Sequence, residues 1–176
     1  MTFEEIVDLL VNRFGEEIIL GANASVIQPF VTISSNSIAE VCQFLRETPG
    51  LYFDYLQCVT GIDNGEKAAT MEVLYHMTSI PYGHNLVLKV ELVRNTNDEP
   101  IPSLPSVSSI WKTADWHERE TFDLIGIAFE NHPDLRRILM PEDWIGHPLR
   151  KDYEVQEVYH GIRVKYENRI DPDQQN

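Results

Sequence analysis

The chain has 176 residues, of which 43% are hydrophobic and 24% are charged, and its formal net charge is −14. This length and composition predict one soluble globular domain with a substantial hydrophobic core and exclude a wholly disordered chain. The acidic balance argues against binding to nucleic acid or directly to an anionic lipid surface, because both depend on basic side chains.

The cysteines and the N-terminus exclude further classes. Cys42 and Cys58 are the only 2 cysteines, so this chain cannot form a CxxC redox motif or supply the four thiolates of an iron–sulfur cluster. The first residues, MTFEEIVDLL, carry acids where a signal peptide carries basic residues, and no apolar run approaches the ~20 residues of a membrane span. We expect two buried, reduced cysteines and no direct insertion into a membrane.

Two amphipathic helices are predicted in the first third of the chain. Thr2 with Glu5 is a capping-box pattern, and apolar residues then recur at helical spacing until Gly15. Ser37 with Glu40 repeats the capping box ahead of a second helix, which the next Pro-Gly pair ends.

Strands are predicted over residues 18–20, 26–33, 51–60, 71–76 and 85–93. A turn at 21–23 separates the first two, and Pro29 predicts that the second is an edge or bulged strand. The last two alternate around Pro81-Tyr82-Gly83, as in an antiparallel hairpin. This order of elements predicts an α+β fold, a two-layer sandwich of helices on a mixed or mostly antiparallel sheet.

A proline-rich stretch precedes a third predicted helix. Residues 95–105 contain three prolines, too many for a helix or a central strand, so we expect an ordered connector. Ser106 is a candidate cap, and from Val107 a helical pattern places an apolar stripe through Ile125.

The polar residues of this helix conflict with its apolar stripe. Glu118 falls in the middle of the stripe, whereas Trp116, Glu120 and Asp123 fall on the opposite face. A buried carboxylate is costly unless it is paired, so we expect a buried arginine beside Glu118 and a partner protein over Trp116. The alternative is that Glu118 snorkels or that the helix ends near Asp115, which would make Trp116 a stray surface aromatic.

Turn residues dominate the chain after Gly126, which predicts an ordered but irregular segment and fits a C-terminal docking extension. We divide the chain into an α+β domain at 1–105, a signature helix and docking segment at 106–153 within the same compact unit, and an extended tail at 154–176. The tail is polar and is expected to hold its order only against a neighbour.

The same residues also raise an enzymatic alternative. His117, His132 and His147 are fifteen residues apart, and with the acids of the HERE run at 117–120 they are compatible with a zinc hydrolase. The run lacks the second histidine of HExxH, and the arginine between its two acids favours structural ion pairs over acid–base catalysis. Neither a GxSxG elbow nor a glycine-rich phosphate loop is present in the sequence.

The charges are better explained as a fixed network. Arg119 lies four residues from both Asp115 and Asp123, the spacing of helical ion pairs. Planar guanidinium groups that can form bidentate hydrogen bonds with carboxylates are present on Arg136, Arg137 and Arg150. Such groups contribute little at an open surface but set register and partner choice at an interface.

The run from Trp116 to Tyr153, WHERETFDLIGIAFENHPDLRRILMPEDWIGHPLRKDY, closely resembles the signature of the C-subunit family of the proton-pumping NADH:quinone oxidoreductase, respiratory complex I. The matching elements are E-R-E, D-L-x-G-I-x-F, H-P-D-L-R-R-I-L-x-P-x-D-W and G-x-P-L-R-K-D-Y. The first 105 residues resemble the family mainly in pattern, through the hairpin, the LQCVTGID segment and the proline connector. Glu154 stands where the family often has proline, which leaves the path of the tail open.

The resemblance implies a non-catalytic subunit of the hydrophilic arm, which supports electron transfer from NADH through iron–sulfur centres of partner subunits to quinone. It implies no cofactor in this chain, with iron–sulfur clusters and flavin in the partner subunits. The implied partners are the D and B subunits of complex I and also the iron–sulfur I subunit, with no homo-oligomer in the working state. The implied location is peripheral, on the cytoplasmic side of the plasma membrane. An equivalent subunit of a related energy-converting hydrogenase or of a ferredoxin-fed complex is the alternative.

No catalytic, cofactor-binding or metal-binding residue is expected in this chain. The candidate partner-docking residues are Trp116, Glu118, Arg119, Glu120, Asp123, His132, Pro133, Arg136, Arg137, Trp144, His147, Pro148, Arg150, Lys151, Asp152 and Tyr153.

Overall fold

The structure is a computed structural model that describes residues 1–96 and 99–164. The helices are α1 Phe3–Phe14, α2 Ile38–Glu47 and α3 Ala114–Ile125. The strands are β1 Ile19–Asn23, β2 Phe30–Ile33, β3 Tyr55–Asp63, β4 Thr70–Ser79, β5 His84–Val93, β6 Ser103–Pro105, β7 Ala128–Glu130, β8 Val158–Tyr159 and β9 Ile162–Arg163. No helix in these two ranges is long and apolar enough to cross a membrane.

Five strands form one sheet in the order β1-β2-β5-β4-β3, and every pair is antiparallel except β2 with β5. Along β4 the alternating residues Met71, Val73, Tyr75 and Met77 are buried and join the buried side chains of the three helices in one core. The other face of the strand is only half-buried. This arrangement confirms the predicted two-layer α+β sandwich on a mixed, mostly antiparallel sheet.

The first two strands differ from their prediction. Residues 21–23 belong to β1, and the chain bends at 25–28 instead. The edge position predicted from Pro29 is wrong, because β2 lies between β1 and β5. Pro29 precedes β2, so its missing N–H does not interrupt the ladder.

One of the two predicted capping boxes forms. Glu5 N donates to Thr2 Oγ1 at 3.3 Å and Thr2 N donates to Glu5 Oε2 at 2.8 Å, as predicted. The box at Ser37 is wrong: its φ of −106° and ψ of 1° are not the extended backbone of an N-cap, and a 3₁₀ turn at Ser35–Ser37 leads into α2.

The predicted hairpin is confirmed, since β4 pairs with β5 from Thr70 opposite Val93 to Ser79 opposite His84. The preceding strand, predicted at 51–60, instead begins at Tyr55 and runs past Gly61. Both cysteines were predicted to be buried. Cys42 is buried, but Cys58, which lies on β3, is only half-buried.

The third helix begins later than its apolar stripe predicts. Residues 107–113 form turns whose side chains include the buried Val107 and Trp111, and α3 starts at Ala114. The predicted connector contains β6, which pairs in parallel with β7. Ser106 is therefore not a helix cap, because it directly follows β6, eight residues before α3, and its N–H donates to the carbonyl of Glu130.

The division of the chain at 105 and 153 remains a prediction. Across the first boundary, β6 pairs with β7. In the predicted tail, β8 and β9 pair as an antiparallel hairpin. Residues 165–176 of that tail lie outside the described residues.

Candidate partner-docking site

The signature segment, residues 116–153, is built on α3 and on the chain that folds back over it. Glu118 on α3 is fully buried. Its Oε1 accepts a hydrogen bond from Val107 N at 2.7 Å and its Oε2 accepts one from Ser106 Oγ at 2.5 Å. The predicted arginine partner is wrong, because the turn after β6 brings neutral donors to the carboxyl group instead.

The surroundings of Glu118 oppose its ionisation. Burial raises the pKa of its carboxyl group to about 7, although the hydrogen bonds from Ser106 and Val107 act in the opposite direction. The nearby carboxylate of Asp115 raises the pKa further.

His132 ties the turn after β7 to the first turn of α3. Its Nδ1 accepts a hydrogen bond from Asp134 N at 3.0 Å, so the ring hydrogen lies on Nε2, which donates to the carbonyl of Asp115 at 3.1 Å. The same Nε2 lies 3.8 Å from Glu118 Oε2.

Arg119 is buried and does not form the predicted helical ion pairs with Asp115 and Asp123. Its Nε and Nη2 donate to the carbonyls of Arg136 and Arg137, each at 3.2 Å. Its guanidinium carbon lies 5.7 Å from the centre of the Trp116 ring. Carbonyls of the returning chain thus take the place of the predicted carboxylates.

Asp123 was expected on the open face of the helix, and this expectation is wrong because residues 137–140 cover that face. Its Oδ2 accepts hydrogen bonds from the backbone N–H groups of Ile138, Leu139 and Met140, and its Oδ1 accepts one from Arg137 Nη1 at 2.7 Å. Burial would raise the pKa of Asp123, but these hydrogen bonds outweigh it and lower the pKa.

Arg137 extends this arrangement into the following loop. Its Nη2 donates to the carbonyls of Trp144 at 3.0 Å and Gly146 at 2.9 Å. The guanidinium group of Arg137, which was predicted to bind carboxylates at an interface, therefore binds carbonyls of its own chain and fixes the backbone from 137 to 146.

Gly126 ends α3 and makes room for His147. With φ 78° and ψ 53° it has the left-handed conformation of a helix C-cap, and a Cβ there would lie 2.5 Å from His147 Cδ2. His147 Nδ1 donates to the carbonyl of Asp123 at 3.0 Å. Burial is the main cause that lowers the pKa of His147.

Arg150 binds the C-terminal end of α3. Its Nε donates to the carbonyl of Ile125 at 2.8 Å, and its Nη2 donates to the carbonyl of Gly126 at 3.1 Å and to Asn95 Oδ1 at 2.8 Å. A cation at this position satisfies terminal carbonyls and opposes the negative end of the helix dipole.

The end of the signature segment is held by residues from earlier in the chain, which the sequence analysis missed. They are Asp63, Arg94 and Asn95. Arg94 binds Asp63 at 2.7 Å and Asp152 at 2.6 Å, and Lys151 N donates to Asp63 Oδ2 at 2.8 Å. Burial would raise the pKa of Asp63, but these hydrogen bonds lower it to about 2. The available signal was an Arg directly after a strand of alternating pattern, which does not identify its distant partners.

Aromatic contacts hold the chain that follows. Trp144 Nε1 donates to Tyr153 OH at 3.0 Å, and the centre of its ring lies 5.1 Å from that of Tyr159. Asp143 accepts hydrogen bonds from Tyr159 OH at 2.7 Å and from His160 Nε2 at 2.6 Å. The β8–β9 hairpin is thereby tied to the loop that carries Trp144.

The candidate docking residues divide by exposure. Those buried are Glu118, Arg119, Asp123 and Arg150. Those half-buried are His132, Arg137, Trp144, His147, Pro148 and Tyr153. Those exposed are Trp116, Glu120, Pro133, Arg136, Lys151 and Asp152. Among the exposed residues, Lys151 and Asp152 contact Asp63 and Arg94, and Arg136 pairs with Asp134.

Large exposed apolar side chains lie in and just after the signature segment, and sequence analysis did not single out most of them. They are Trp116, Leu139, Ile145, Leu149, Val155, Val158 and Ile162. The backbone between them is held by Asp123, Arg137 and the Trp144 contacts. In residues 1–96 and 99–164, no group of three or more His, Cys, Asp or Glu is arranged to hold a metal ion.

Comparison with known proteins gives a consistent result. Residues 31–159 match the family model described as respiratory-chain NADH dehydrogenase, 30 Kd subunit. A protein of Chloroherpeton thalassium named as the C subunit of NADH-quinone oxidoreductase is 46% identical over 142 residues, 80% of this chain and 56% of the relative. One of the same name from Chlorobium phaeobacteroides is 39% identical over 160 residues, 90% of this chain and 93% of the relative. The first alignment thus spans little more than half of that relative.

The fold is also found among solved structures. A chain in the structure titled membrane-bound sulfane sulfur reductase, an archaeal respiratory membrane complex, matches with a TM-score of 0.64 and 21% identity. The match covers 86% of this chain and 85% of the other. At this identity the likeness supports the shared fold.

Proposed function

This chain belongs to the family of the 30 Kd subunit of respiratory-chain NADH dehydrogenase, and we propose that it is a non-catalytic hydrophilic-arm subunit of a proton-translocating NADH:quinone oxidoreductase. In this role it supports electron transfer from NADH, through iron–sulfur centres and flavin of partner subunits, to quinone. The chain itself binds none of these cofactors.

The observation that carries the proposal is the contrast within the signature segment. Its buried charged residues form hydrogen bonds inside the chain, and the backbone they hold presents Trp116, Leu139 and Ile145 to water. Apolar side chains on a fixed backbone are the surface that a partner protein covers at low entropic cost. The signature segment is therefore a docking surface whose polar residues act as internal supports.

The proposed partners are the D and B subunits and also the iron–sulfur I subunit. Contact with these proteins would hold the chain at the cytoplasmic side of the plasma membrane as a peripheral component. The net charge of −14 supports attachment through proteins over direct attachment to anionic lipid.

Affinity purification of the tagged full chain from membranes of its host tests the proposal. The D, B and I subunits should be recovered together with NADH:quinone reductase activity. Recovery of a hydrogenase large subunit in their place would assign the chain to a related energy-converting complex. Stoichiometric zinc in the purified chain would contradict the scaffold role and favour a hydrolase.

A further inference from the structure

Glu118 is a buried carboxyl group without a lysine or arginine ion-pair partner among the described residues. Its hydrogen-bond donors are the neutral groups Ser106 Oγ and Val107 N. Since an isolated buried carboxylate is costly, this environment favours the protonated form.

The titratable groups around Glu118 come from every element packed against it. Asp115 lies one turn earlier on α3, and His132 approaches from the turn after β7 with its Nε2–H directed to the Asp115 carbonyl. From the core, Cys42 on α2 and Tyr75 on β4 are buried groups whose pKa is raised first by burial and then by the charge of Glu118. Asp115 is the neighbour whose negative charge disfavours ionisation of Glu118, whereas the raised pKa values of Cys42 and Tyr75 keep these two groups neutral at neutral pH.

A chain of hydroxyl groups leads away from Glu118. Ser106 Oγ lies 2.5 Å from Glu118 Oε2 and 2.8 Å from Ser108 Oγ. When Glu118 is ionised, Ser106 donates to it. When Glu118 is protonated, its O–H can donate to Ser106, which then donates to Ser108. The same oxygen positions therefore serve both protonation states.

We propose that Glu118 is an internal proton-binding site of this chain that exchanges its proton through Ser106, the half-buried hydroxyl group beside it. On loading, Ser106 takes a proton from a hydronium ion and passes its own to Glu118 Oε2, while the buried Ser108 accepts a hydrogen bond from Ser106. The hydronium ion becomes water, Ser106 gains one proton and releases one, and the carboxylate of Glu118 becomes neutral. The site lies where the turn after β6 meets α3, beside the His132 contact, and it does not depend on the proposed function.

Carbon-13 NMR of the full chain labelled at glutamate side chains tests the site. One carboxyl resonance should titrate with a midpoint near pH 7 and be missing in Glu118→Gln. In Glu120→Gln, which changes an exposed carboxyl group on the same helix, that resonance should persist with the same midpoint. A Glu118 midpoint at the ordinary glutamate value of 4.5 would overturn the proposal.

The hydroxyl pair is tested separately. Ser106→Ala removes a donor to the carboxylate and should move the Glu118 midpoint up by about one pH unit, whereas Ser106→Thr, which keeps the hydroxyl, should preserve it. Ser106→Ala should also slow the shift of the protonated carboxyl infrared band after transfer to D₂O, and Ser108→Ala, at the more buried serine, should slow it less. If Ser106→Ala leaves either the midpoint or the exchange rate unchanged, exchange through Ser106 is refuted.

Discussion

At the scale of single residues, the signature segment depends on side chains that face inward. Asp123 accepts three backbone hydrogen bonds on one oxygen and binds Arg137 with the other, and Arg137 then binds two further carbonyls. One buried acid thereby sets the path of about ten residues without regular secondary structure. Such groups are costly to remove because each partner is left without a hydrogen bond.

Asp123→Ala should therefore lower the free energy of unfolding by about 3 kcal/mol. The matched control is Asp134→Ala, which removes an acid from an exposed pair with Arg136 at 2.9 Å and should leave stability unchanged within error. Urea unfolding of both variants at neutral pH measures the difference. Equal stabilities for the two variants would contradict the supporting role of Asp123.

Glu118→Gln should remove a pH dependence of stability. The folded chain has a Glu118 pKa of about 7 against an ordinary value of 4.5, so it holds a proton that the unfolded chain has released. This stabilisation is fully present below about pH 4.5 and is lost as pH rises to about 7. Between pH 5 and pH 8, wild type should lose about 2.5 kcal/mol relative to Glu118→Gln.

Urea unfolding at a series of pH values checks this expectation. Glu120→Gln is the control, because it removes an exposed acid from the same helix and should follow the wild-type pH profile. If wild type and Glu118→Gln instead keep a constant difference across this range, Glu118 does not titrate with a raised pKa in the folded chain.

Sequence predicted the burial of Glu118 but not its partners. A single acid within an apolar stripe is a local signal, and helical periodicity is enough to place it in the core. Its donors lie eleven and twelve residues earlier, in a turn whose path depends on β6 pairing with β7. The burial of Asp123 was missed for a related reason. The residues that cover it, 137–140, have no helical or strand periodicity that would predict their path.

At the scale of elements, α3 packs closely against β3 because Gly61 has no side chain. A Cβ at Gly61 would lie 2.6 Å from Thr121 Cγ2 and 3.3 Å from Ile125 Cγ1. The predicted elements with strong local periodicity, α1 and the β4–β5 hairpin, form as expected. The start of α3 and the strand β6 were missed because tertiary contacts override the local pattern there.

Gly61→Ala should destabilise the chain by about 2 kcal/mol, because the added methyl group must push α3 away from β3. Combining it with Thr121→Ser, which removes the clashing Cγ2, should recover most of the loss relative to Thr121→Ser alone. Gly21→Ala is the control, since a Cβ there meets nothing within 4 Å. Thermal unfolding of the four variants decides the matter, and no rescue by Thr121→Ser would show that close packing is not the cause.

At the scale of the whole molecule, exposure alone does not distinguish the docking surface. Ile27, Ile80 and Val93 are also large, apolar and exposed, yet they lie at turns or strand ends of the sheet. The signature segment differs because buried ion pairs and hydrogen bonds fix its irregular backbone before any partner binds. Sequence resemblance indicated where this surface lies, whereas its division into supporting and exposed side chains required the three-dimensional contacts.

Trp116→Ala should weaken assembly while leaving the isolated chain equally stable. Trp116 is 64% exposed, and within the described residues its ring makes one ring or cation contact, with the guanidinium group of Arg119. An aromatic anchor at an interface commonly contributes about 2 kcal/mol or more, so the Kd for the partner complex should rise about 30-fold. Ile80→Ala, at a side chain 65% exposed in the β4–β5 turn, should change neither property.

Titrating each purified variant into partner complex that lacks this chain, with recovered NADH:quinone activity as the readout, measures the affinities. A lower melting temperature for Trp116→Ala with unchanged assembly would mean that this face of α3 supports the fold and does not bind a partner.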